Sequence, residues 1–183
     1  SGPLTVAGDC DASLDFGFVA PVPTVSVGDR VWFDVDGDGI QDDADPGIPG
    51  VRLRLTGPDG ESVTDVSGNL VEPVETDGQG WYAFENLPAL GPDQSYTVTV
   101  DPDSEALDGY VPTLAHVGDP AFDSSSGSES SGDLVEDGDH DTTLDFGFVS
   151  APVEPPTESV SVGDYVWRDE DRDERVAVGV GVV

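Results

Sequence analysis

The sequence predicts an all-β sandwich, and three observations carry that expectation. Apolar and polar residues alternate strictly along Val51-Arg52-Leu53-Arg54-Leu55, Tyr96-Thr97-Val98-Thr99-Val100 and Leu14-Asp15-Phe16-Gly17-Phe18, the period of strands buried on one face. Turn signals punctuate them at Gly57-Pro58-Asp59-Gly60, Asp77-Gly78 and Asp108-Gly109. No stretch of 11 or more residues carries an apolar stripe at helical spacing.

In chain order, strands are expected near 25–33, 50–56, 62–66, 69–74, 80–86, 95–101, 110–117 and 141–149. The second and sixth rest on the alternation itself. The Gly57–Gly60 turn separates the second strand from the third, while Asp77-Gly78 and Asp108-Gly109 precede the fifth and seventh. Such a set suits two packed sheets. Residues 119–137 resist assignment, and Ser124 to Gly132 is low in complexity, so a mobile surface loop is expected there.

The chain of 183 residues holds 39 acidic and 6 basic side chains, a formal charge of −33. Nucleic acids and anionic membrane faces need Lys and Arg to displace counterions, so neither is an expected partner; cations are. All six bases are Arg, and the lack of Lys removes Schiff-base chemistry, P-loop lysines and Lys-to-Asn crosslinks. The lone Cys10 excludes an internal disulfide framework and a thiolate zinc cluster. No run approaches the roughly 20 apolar residues of a membrane span. There is no Met, so the chain is read as processed or excerpted, and its ends say nothing about export.

Internal repetition organises the chain. Gly8-Asp9-Cys10-Asp11 and Leu14-Asp15-Phe16-Gly17-Phe18-Val19 return as Gly138-Asp139-His140-Asp141 and Leu144-Asp145-Phe146-Gly147-Phe148-Val149. Ser26-Val27-Gly28-Asp29-Arg30-Val31-Trp32 returns as Ser161-Val162-Gly163-Asp164-Tyr165-Val166-Trp167. Residues 1–20 therefore read as the end of one repeat, 21–149 as a whole repeat, 150–159 as a Pro-rich linker and 160–183 as the start of a truncated or degenerate third. Proline-rich joints favour extended spacers that hold units apart.

After Trp32 comes Asp34-Val35-Asp36-Gly37-Asp38-Gly39-Ile40-Gln41-Asp42-Asp43-Ala44-Asp45. Counted from Asp34, Asp occupies positions 1, 3, 5, 9 and 12, Gly the sixth, and Ile40 the seventh, where a backbone carbonyl serves as ligand. This is the EF-hand calcium-loop pattern with Asp45 in place of the usual Glu. Alternate carboxylates of a tight loop point inward to surround a hard cation at about 2.4 Å, and Gly39 permits the sharp turn. The expected cofactor is Ca²⁺, held by Asp34, Asp36, Asp38, Ile40 and Asp45, with Asp42 as a further candidate. Zinc lacks nearby His or Cys, and the magnesium octahedron suits so crowded a loop poorly. A solvated acidic turn is the bland alternative.

The flanking helices of an EF-hand are missing, since the loop follows a strand and leads through Pro46-Gly47-Ile48-Pro49-Gly50 into another. Ser26-Val27-Gly28-Asp29-x-Val31-Trp32, the Asp loop, Thr76-Asp77-Gly78-Gln79-Gly80-Trp81-Tyr82-Ala83-Phe84-Glu85-Asn86-Leu87-Pro88, Gly109-Tyr110-Val111-Pro112-Thr113 and Leu144-Asp145-Phe146-Gly147-Phe148 together resemble the B-type repeats of serine-aspartate-repeat surface adhesins, and more distantly collagen-adhesin B-type domains. The resemblance implies an immunoglobulin-like or prealbumin-like sandwich in a tandem array, stabilised by calcium and serving as a stalk in a secreted or wall-attached protein. It also implies a second metal site near Asp119 and Asp123, with one carboxylate fewer than relatives carry. The third unit keeps Asp169, Asp171 and Asp173 but has Glu174 at the Gly position, so no metal is expected there.

No enzyme is expected. His116, His140 and the serines lack a nucleophile elbow, and His140 aligns with Cys10, so that position tolerates replacement within one chain. Three roles follow: a structural extracellular stalk or fibre partnered by neighbouring repeats or subunits, a filament subunit exchanging strands through its partial repeats and the apolar tail Val176–Val183, or an adhesive module for a host or polysaccharide ligand.

Overall fold

The computed structural model describes residues 6–7 and 16–152. The expectations placed on Cys10, Trp167, the third Asp loop and the apolar tail lie outside the described residues. The described chain is built from short strands: β1 (Thr24–Val27), β2 (Val31–Phe33), β3 (Arg52–Thr56), β4 (Val74–Glu75), β5 (Phe84–Pro88), β6 (Thr97–Val100), β7 (Tyr110–Pro112), β8 (Ser128–Ser130), β9 (His140–Asp141) and β10 (Phe146–Ser150). A single 3₁₀ turn at Glu105–Leu107 interrupts them. The all-β expectation holds, and the alternation in β3 and β6 buries Leu53, Leu55, Val98 and Val100 on one face.

Strand order is β5-β1-β9, β2-β10-β7 and β4-β3-β6-β8, so three hydrogen-bonded groups stand where two sheets were expected. The difference lies in two strands that break. The run expected at 25–33 divides into β1 and β2, and the one at 141–149 into β9 and β10. The broken strands travel together: β1 runs parallel to β9, and β2 parallel to β10. Gly28 sits at the first break, where a Cβ would lie 2.4 Å from the Tyr82 carbonyl oxygen. Only glycine lets the chain turn so close to its neighbour.

One apolar cluster joins all three groups. Val27, Val31, Val51, Leu53, Leu87, Val98, Leu134 and Leu144 are fully enclosed in it with Phe84 and Phe146. Burying each such side chain contributes on the order of 1.5–3 kcal/mol, which anchors strands of only two to five residues. Trp32 is also wholly buried, in keeping with a packing role, and Gly147 makes room for its ring: a Cβ there would stand 2.8 Å from Trp32 Cζ2.

The serine-rich segment departs from expectation. Ser124, Ser125 and Ser131 are buried, and Ser128–Ser130 forms β8 on the edge of β6. Its hydroxyls satisfy backbone and partner groups, with Ser124 Oγ accepting from Gly147 N at 2.9 Å and Thr99 Oγ1 and Ser128 Oγ 2.8 Å apart. Composition suggested a segment unable to bury anything, yet small hydroxyl side chains can be enclosed when each finds a partner.

Candidate metal centre

β2 ends at Phe33, and the Asp loop begins where Asp34 N donates to Phe148 O at 2.8 Å. Because β2 and β10 are parallel, this fixes the loop at the pole from which the chain leaves β10. Asp34 is almost completely buried. Its Oδ1 accepts from Gly37 N at 2.7 Å, while Oδ2 accepts from Gly39 N at 2.9 Å and from Thr113 Oγ1 at 2.6 Å. Burial pushes its pKa up, but the Thr113 and backbone donors outweigh that and hold it below the usual carboxylate value.

Carboxylate oxygens of Asp34, Asp36 and Asp38 all lie within 4.8 Å of one another. The last two are exposed. Asp38 beside Asp36, with a smaller contribution from burial, raises the Asp36 pKa, the electrostatic sign of carboxylates gathered without a compensating charge. Asp38 Oδ1 also accepts from Ile40 N at 2.8 Å, shaping the loop locally. Gly39 has φ +82°, and a Cβ on it would lie 2.5 Å from Leu114 O, so the sixth position requires glycine as the spacing indicates.

The remaining residues singled out from the sequence act around this cluster. Asp45 is buried and closes the loop, its two oxygens accepting from Val35 N and Asp42 N at 3.1 Å each. Asp42 caps its own turn through Ala44 N at 2.7 Å. Ile40 bridges to Asp123, the bonds running from Gln41 N to Phe122 O and from Ser124 N to Gly39 O. The Ile40 carbonyl is left out of that bridge.

Asp119 and Asp123 therefore lie in the segment that braces the Asp loop. Their carboxylates accept from Ala121 N at 3.1 Å and Gly118 N at 3.0 Å, and they do not join a group of three or more ligating side chains among the described residues. Sequence reasoning missed Thr113, although Gly109–Thr113 was among the matched motifs. Nothing in the spacing announces a hydroxyl that reaches Asp34 from 79 residues away.

Fold and loop together define a class: an all-β unit whose three strand groups share one apolar core, carrying an acidic Asp-Gly loop at one pole. Residues 25–148 match the family model described as SdrD B-like domain, and the chain belongs to that family. It is 36% identical over 170 residues to the serine-aspartate repeat-containing protein F of Staphylococcus epidermidis, covering 93% of this chain and 8% of that protein. It is 34% identical to serine-aspartate repeat-containing protein E of Staphylococcus aureus strain MSSA476 and to the bone sialoprotein-binding protein of strain MRSA252, covering 93% of this chain and 13% of each. The chain thus spans roughly a tenth of the length of these relatives. Among solved structures it is similar to the minor pilin GBS52 of Streptococcus agalactiae, at 11% identity and TM-score 0.44 over 79% of this chain and 49% of that one.

Proposed function

We propose that the chain is part of a non-enzymatic extracellular stalk, built from tandem sandwich repeats stabilised by calcium at a microbial surface. The observation that carries the metal is the convergence of Asp34, Asp36 and Asp38 within 4.8 Å. All three offer hard oxygen, the donor type calcium takes in sixes to eights. Asp45 and the Ile40 carbonyl, from the same loop, are the further candidates for the shell. A bound cation would offset the repulsion evident at Asp36. The stalk reading is supported by family membership and by relatives named for serine-aspartate repeats.

The loop's place at the exit of β10 gives calcium a mechanical task. Binding there would rigidify the pole at which Asp34 N is tied to Phe148 O, beside the end of β10. Melting of the 183-residue chain in calcium and in chelator tests the proposal, with the Asp36→Ala/Asp38→Ala double variant alongside. Calcium should raise the wild-type melting temperature, and the double variant should lose most of the gain. A wild-type curve indifferent to calcium rejects the metal.

A further inference from the structure

Asp29 and Asp145 occupy the two places where the paired strands break. Asp29 follows Gly28, between β1 and β2, and Asp145 stands between β9 and β10. The backbones are laced together here, Gly28 N donating to Asp141 O at 3.1 Å and Phe146 N to Arg30 O at 3.0 Å. Asp145 is 1% exposed, and its Oδ2 is buried without a hydrogen-bond donor. Its Oδ1 receives only a long contact from Arg30 N, at 3.4 Å. The Asp29 and Asp145 carboxyl groups act on each other electrostatically. Two ionised carboxylates have no proton to share, and a buried unpaired charge is costly.

Among the described residues neither carboxylate makes a salt bridge. The Arg30 guanidinium is engaged with Gln79 O and Asp45 O, both at 3.1 Å, and with the Trp81 ring at 5.5 Å. At longer range His140, from β9, and Arg30 lower the Asp29 value, while Asp141 raises it. Asp123, from the segment bracing the Asp loop, adds negative potential at Asp145. Tyr82, which feels both carboxyls, directs its hydroxyl to Leu144 O instead. Both aspartates also recur in the partial repeats, as Asp164 and Asp15.

We propose that Asp29 and Asp145 hold one proton between them at neutral pH, forming a pH-sensitive clasp across the two strand breaks. The proton gives the orphaned buried oxygen system its missing donor and removes one charge from the interior. Burial is the main force raising both groups from the ordinary 3.8, Asp29 to about 6 and Asp145 to about 8, with Asp29 adding to the rise at Asp145. Folded values above the unfolded ones mean that the folded state binds more protons in between. The clasp's contribution is therefore full in acid and is lost as pH rises through about 6 and then about 8.

The test compares wild type with Asp145→Asn and Asp29→Asn by urea unfolding from pH 5 to pH 9 in chelator, on the 183-residue chain. Between those limits the unfolding constant of wild type relative to Asp145→Asn should rise by at least about tenfold, the equivalent of a one-unit shift. Carboxyl NMR of the wild type gives a reading that no variant's misfolding can spoil: Asp145 should titrate above about pH 6. An Asp145 midpoint near the ordinary carboxylate value, or a ratio independent of pH, overturns the clasp. So does proton release on adding calcium that Asp145→Asn abolishes, since a metal would then occupy the place assigned to the proton. Because the unfolding series contains no calcium, its outcome is independent of the Asp loop.

Discussion

Thr113 and Asp34 show how one hydroxyl can position a charged side chain from far along the sequence. The Thr113 Oγ1 donor is the shortest of the three bonds to Asp34, and it holds the inner carboxylate of the loop from the strand side. Replacing Thr113 with Val keeps the shape and removes the donor. A hydrogen bond to a charged group contributes about 1.5–3 kcal/mol, so Thr113→Val should destabilise by that order in urea unfolding and weaken calcium binding. Unchanged stability would show that water replaces the hydroxyl without cost. Legibility at this scale followed chain proximity. Asp34, Asp36 and Asp38 were readable because alternate residues of one tight loop must converge. Thr113 and the Asp29–Asp145 pair were not, because their partners are brought together only by tertiary pairing.

At the scale of elements, period-two patterning located β3 and β6 but could not show where a strand changes sheet. The run from Val25 to Phe33 reads as one strand, yet it breaks at Gly28–Arg30 and its two halves join different groups. The signal was Gly28, whose missing Cβ accommodates the Tyr82 backbone. Gly28→Ala should therefore destabilise by about 1–3 kcal/mol, the usual cost of inserting a methyl group into a filled space, or by more if the backbone cannot shift. A thermal melt matching wild type would mean that the break is soft. β8 was illegible for the opposite reason. Ser128–Ser130 has neither apolar alternation nor β-branched residues, and its strand character comes from pairing with β6 and from hydroxyl contacts to Thr97 and Thr99.

Across the whole chain, one motif appears in two settings. Phe146 and Phe148 are buried in β10, where β2 and β7 flank them on either side. Their counterparts Phe16 and Phe18 lie in a segment with no strand assigned and are 79% and 93% exposed. Repetition was legible because it is written in residue order, whereas the burial of Phe146 and Phe148 depends on the strands β2 and β7 that flank them. The excess of acid over base, −33 in formal charge, makes compaction self-repelling, so the proposed cation at the Asp loop would have leverage on the fold. The most direct measurement of that claim is calorimetric titration of the 183-residue chain with calcium, with magnesium as the control cation. Calcium binding should be saturable, should not be reproduced by magnesium and should be removed by Asp36→Ala/Asp38→Ala. Absence of calcium heat together with no calcium-dependent change in melting, or binding undiminished in the double variant, would contradict the claim.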